Sequence, residues 1–139
     1  MQLVLLFALV SSAAPPPALV FREAQELMED GYLEAAAAKF VELVGANPKS
    51  DLADVALSSA ALCHDRAGRP ELAKRVYERL VVEYPASRFA DTALFRLAMM
   101  AEHERDFDAA ILRYLQLVKG YPASKERAAA AYNAALLFE

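Results

Sequence analysis

Apolar and polar positions along this chain follow a pattern that returns every 37 residues. Ala24, Ala61, Ala98 and Ala135 keep that step, as do Ala36, Ala73 and Ala110. The aromatics Phe40, Tyr77 and Tyr114 keep it too. So do Leu43, Leu80 and Leu117, each followed by a valine, Val44, Val81 and Val118. Within a unit the alanine, aromatic and leucine are four and three residues apart, which lines them up on one helical face. Self-similarity at a step of this length is the signature of a solenoid of stacked helix pairs.

Each unit reads as two helices. The first helices are predicted over residues 18–30, 51–67, 88–104 and 125–139, the second over 33–46, 70–83 and 107–120. Gly31 and Gly68 stand where a left-handed residue would end the first helix. Pro70 suits the first turn of the helix that follows, where its missing N–H is harmless. Arg105 stands at the glycine register of the third unit, so that turn is expected to be strained or shaped by Asp106. Between units the chain writes Tyr-Pro-Ala-Ser twice, at residues 84–87 and 121–124, with a blurred copy at Asn47–Ser50. Pro48, Pro85 and Pro122 stop the second helix. Ser50, Ser87 and Ser124 are placed to cap the next one through their hydroxyls. Tyr84 and Tyr121 are expected to pack on that next helix.

Composition supports a helical domain with a core of its own. Of 139 residues 57% are hydrophobic and 24% charged, alanine is abundant and glycine scarce, which favours helix nearly throughout. The formal net charge of −4 comes with no basic run, which argues against a nucleic-acid partner. The single cysteine, Cys63, leaves the fold without an internal disulfide.

The first residues differ from the rest. An apolar run from Leu3 to Val10, small residues and then Pro15–Pro17 read as a secretory signal peptide over residues 1–14, with Ser11 and Ala13 at the cleavage site. The run is too short for a membrane span, and no cysteine follows it as a lipid anchor. The repeat domain then covers residues 15–139. The chain is expected to continue beyond 139, because the last predicted helix ends in mid-repeat with an apolar face.

The Ala-x-x-x-[Phe/Tyr]-x-x-Leu pattern resembles the tetratricopeptide repeat. Ala36/Phe40/Leu43, Ala73/Tyr77/Leu80 and Ala110/Tyr114/Leu117 carry it, with proline eight residues after each aromatic. Helix pairs of the HEAT type would not need that spacing. The resemblance implies an all-α fold, a right-handed α-solenoid of antiparallel helix pairs with about 3.5 repeats. The unit exceeds the usual 34 residues by three. In this it is similar to bacterial envelope repeat proteins of the BamD and CpoB type.

Groups that could do chemistry are sparse. Cys63 and His64 are adjacent on a helix and face apart, and no metal-ligand spacing joins them to other residues. Cys63 is read as a small buried residue. His103 lacks the second histidine of a metalloprotease helix. Glu34, Glu71 and Asp108 share a register at the start of second helices, where the helix dipole favours acids. The expectation is no enzyme and no cofactor or metal.

In stacked helix pairs the first helices line the concave face. By the resemblance, the registers projecting there are Phe21, Ser58, Phe95 and Tyr132, then Gln25, Leu62, Met99 and Leu136, then Glu102 with His103 beside it. Asp65 shares the register of Glu102. These give an apolar floor with a mostly acidic rim. Leu57, Leu94, Leu97, Phe40, Tyr77 and Tyr114 are assigned to the core. The resulting expectation is an exported scaffold, periplasmic or associated with the outer membrane, that binds a partner peptide or helix in this groove. The alternative is a structural spacer or self-assembling segment of a longer envelope protein, joined through the last helix.

Overall fold

A computed structural model describes residues 13–139; the expected signal peptide lies almost wholly outside them. The described residues form seven α-helices and no strand. They are α1 (Pro17–Glu29), α2 (Leu33–Ala46), α3 (Ala53–Arg66), α4 (Pro70–Glu83), α5 (Ala90–His103), α6 (Phe107–Gly120) and α7 (Arg127–Leu137). Each helix packs on the next in the chain, giving an α-solenoid of antiparallel pairs. No described helix is long and apolar enough to cross a membrane.

The core follows the repeat. Phe40 and Tyr114 are fully buried and Tyr77 nearly so, with Leu43, Leu80 and Leu117 beneath them. Ala24, Ala61 and Ala98 are also fully buried, which lets the two helices of a unit approach closely. Leu57, Leu94 and Leu97 lie in the core as expected. Burying each such large side chain stabilises the fold by about 1.5–3 kcal/mol. One core cluster runs from α1 into α5 and a second from α5 to α7, with Val81 packed against both. Cys63 is fully buried, and burial pushes its thiol pKa up.

All three turns inside units are built alike. Gly31 N–H donates to the Met28 carbonyl (3.2 Å) and Tyr32 N–H to that of Leu27 (2.9 Å), the paired bonds of a Schellman turn. Gly68 and Arg69 repeat this on Asp65 and His64, and Arg105 and Asp106 on Glu102 and Ala101. The motif needs a left-handed residue, and φ is +86° at Gly31, +71° at Gly68 and +62° at Arg105. A Cβ at either glycine would meet nothing within 4 Å, so the demand there is conformational and not steric. At Arg105 the left-handed backbone costs about 1–2 kcal/mol. A guanidinium lying 5.5 Å from the Phe107 ring centroid offsets part of it. Asp106 then caps α6 by accepting from Ala109 N–H at 3.1 Å. Arg105→Gly should therefore raise stability by about 0.5–1 kcal/mol, measured by thermal or urea unfolding.

The turns between units depart from the sequence reading in two ways. The first helices α3 and α5 begin at Ala53 and Ala90, two residues after the predicted starts, and α7 begins at Arg127. The serines do not cap these helices directly. Ser50, Ser87 and Ser124 Oγ accept from the N–H two residues on, at 3.1–3.2 Å, closing a turn that leads into the helix. Ser87 Oγ also donates to Asp54 Oδ2 of the preceding unit at 2.7 Å. Ser87→Ala should cost about 1 kcal/mol, and Ser50→Ala, which loses the turn bond alone, less than that by chemical denaturation.

The tyrosines, expected to pack on the next helix, reach back instead. Tyr84 Oη donates to the Pro48 carbonyl and Tyr121 Oη to the Pro85 carbonyl, each at 2.6 Å and each 36 residues back. Asn47, at the tyrosine register of the first copy, turns onto its own helix and donates to the Leu43 carbonyl at 3.4 Å. The doubled Tyr-Pro motif thus ties each turn to the turn before it and sets the step of the solenoid.

Candidate functional site

The first helices present the surface on which the sequence places a groove. Phe21 and Phe95 are half-buried there. Each stands edge-on to the aromatic of its own unit, Phe21 to Phe40 (centroids 5.3 Å apart) and Phe95 to Tyr114 (5.5 Å). Much of each ring therefore serves the wall of the groove. Ser58 holds this register in the second unit, so Tyr77 receives no such ring. Leu62 is half-buried and Gln25 exposed. Tyr132 and Leu136 are exposed on α7, at 65% and 50%.

Glu102 is not a free rim carboxylate. It accepts a hydrogen bond from Tyr114 Oη, which in turn accepts from Asn133 Nδ2 at 3.1 Å. Burial, then the bond to Glu102, pushes the Tyr114 pKa up to about 12. The second unit puts Asp65 at the Glu102 register and Tyr77 at the Tyr114 register. The aspartate is one methylene shorter, and no hydrogen bond forms between them. Asp65 still lies close enough to raise the Tyr77 pKa, after burial as the main cause, with Arg96 opposing.

Met99 and His103 come together with that aspartate. They line a cleft of about 460 Å³ where the ends of α3 and α5 meet the start of α4. Met99 is 45% exposed and, with Met100, supplies the apolar lining. Asp65, Glu71 and Arg96 carry charge into it, and Pro70 closes one side. Glu104 also borders the cleft but pairs with Lys74 of α4 at 3.3 Å. The registers named Met99, His103 and Asp65; they missed Glu71, Pro70 and Arg96. The available signal was antiparallel stacking, which sets the start of each second helix beside the end of the next first helix, about 30 residues on.

The other chemical candidates stay apart. Glu34 sits in the first turn of α2, where it meets Arg69 at 2.9 Å across the unit boundary. Asp108 holds the same position in α6, whereas Glu71, at that position in α4, borders the cleft. His64 Nδ1 is buried without a hydrogen-bond partner, and burial lowers its pKa. Among the described residues no cluster of three or more His, Cys, Asp or Glu could hold a metal.

The tetratricopeptide repeat family profile matches residues 56–87 and 92–124. No curated protein matches the chain. The two matched segments run from within α3 to just past α4 and from within α5 to just past α6. Repeats of this family generally mediate protein–protein interaction and are typically non-catalytic. The matched segments are similar to tetratricopeptide repeats, and the helical unit they cover recurs at the same 37-residue step from α1 to α7.

Proposed function

We propose that this chain is a non-catalytic scaffold of the bacterial cell envelope that binds a partner peptide or helix along its first helices. The observation that carries the groove reading is the cleft at α3, α4 and α5, where an exposed methionine sits among charged side chains in a concave setting. Methionine adapts to varied partners, and a partly exposed apolar side chain in a cleft favours contact with another chain. The envelope placement rests on the signal-like residues 1–14 and on the resemblance of the long repeat unit to that of bacterial envelope repeat proteins. Phe21, Gln25, Ser58, Leu62, Phe95, Tyr132 and Leu136 extend the surface beyond the cleft.

Selection of a random peptide library on the immobilised chain tests this. Peptides enriched on the native chain should lose affinity by about tenfold or more on Met99→Ser. They should keep it on Val82→Ser, which changes a 77%-exposed residue of α4 outside the groove. Phe95 is the wrong residue to alter, since its contact with Tyr114 makes it part of the fold. Enrichment that survives Met99→Ser and fails on Val82→Ser contradicts the groove.

A second reading is self-association through α7. Tyr132, Leu136 and Phe138 are 65%, 50% and 69% exposed, and Ala135 is open where Ala24, Ala61 and Ala98 are fully covered. On this reading sedimentation velocity shows mass rising with concentration, and Leu136→Ser returns the chain to monomer. A monomer at every concentration removes it.

A further inference from the structure

We infer that the cleft between α3, α4 and α5 takes a long cationic side chain, arginine or lysine, carried on an extended segment of the partner. This rests on the groove reading above and names the chemistry that the groove selects. The lining has two parts. Met99 and Met100 offer an apolar surface suited to a methylene stem. Three carboxylates border it, Asp65, Glu71 and Glu104, against one guanidinium, Arg96.

Comparison between units shows which carboxylates are engaged. Glu102 is committed to Tyr114, and Glu104 to Lys74. Asp65 holds the Glu102 register but makes no such bond, and neither it nor Glu71 forms an ion pair with a described residue. A cationic head whose stem lies on the methionines meets a lining that carries both carboxylates, with Arg96 alone opposing it among the guanidinium and ammonium groups there. A carboxylate ligand would meet Arg96 but also two like charges outside any ion pair, and like-charge contact is the costlier outcome. An aliphatic ligand would fill the apolar part and leave the carboxylates without a partner.

Four labelled peptides separate these cases. They share one sequence with leucine and valine flanks and differ only in the central residue: arginine, lysine, norleucine or glutamate. Fluorescence anisotropy with the full chain should show arginine and lysine binding about tenfold tighter than norleucine, with glutamate weakest. Raising salt from about 50 mM to about 500 mM should shrink that advantage. Asp65→Asn with Glu71→Gln should remove it while circular dichroism shows helicity unchanged. Norleucine binding as tightly as arginine, an arginine advantage that survives the double substitution, or no binding by any of the four overturns the inference. If all four bind alike and Met99→Ser weakens them all, the groove stands and only its charge preference falls. If binding is indifferent to Met99→Ser, the groove reading falls with it.

Discussion

Replacing Tyr114 by alanine should lower the unfolding free energy by about 3–5 kcal/mol, the range for removing a large buried aromatic. Tyr114 is fully buried and belongs to the second core cluster with Leu94, Ala98 and Leu117. Its ring supports Phe95, and its hydroxyl joins Glu102 to Asn133. Truncation thus opens a cavity and strands a half-buried carboxylate and amide. Tyr114→Phe keeps the ring and should cost about 1 kcal/mol.

The pH response separates the two contributions. The phenol titrates at about 12 in the folded chain, above the ordinary value of 10.0. The folded state therefore holds this proton after the unfolded chain has released it. Its contribution is full below pH 10 and is lost as pH rises toward 12. Urea midpoints of Tyr114→Phe should fall less steeply over that interval than those of the native chain.

Ala98→Leu should destabilise by about 1–3 kcal/mol or more, because the added carbons have no room in a packed seam. The matched change Ala135→Leu should be nearly neutral. Both alanines hold the same repeat register, but Ala98 is fully buried and Ala135 exposed. The contrast between the two, read from urea unfolding, assigns the effect to helix packing. Equal effects at both positions would place the cause in helix propensity instead.

The second helices were legible to the residue. Leu33–Ala46, Pro70–Glu83 and Phe107–Gly120 are bounded by signals that act locally: a left-handed residue two positions before each and, after one spacer residue (Asn47, Tyr84 or Tyr121), a proline. The starts of the first helices were not, since a serine hydroxyl can cap a helix or close a turn ahead of it, and here it closes the turn. The tyrosine bonds to Pro48 and Pro85 were hidden for another reason. They join positions 36 residues apart, and helical periodicity is silent about which way a side chain reaches across a unit boundary.

The candidate site divides the same way. The resemblance, carried through the constant 37-residue step, placed Met99, His103 and Asp65 on one surface. It placed Glu102 there too, where the structure spends its carboxylate on Tyr114. Glu71 and Arg96 were missed because they join the cleft through stacking of neighbouring units. The difference between Asp65 and Glu102 is a single methylene, and only its consequence in three dimensions shows that one carboxylate is engaged and the other is left to the cleft.

Hydrogen–deuterium exchange with and without a library-selected peptide locates the binding surface directly. A peptide seated on the first helices slows exchange in α3 and α5, Ala53–Arg66 and Ala90–His103, and at the Gly68–Glu71 turn. It leaves the middle of α6 unchanged. Slowed exchange confined to α6, or to α7 alone, would contradict the groove.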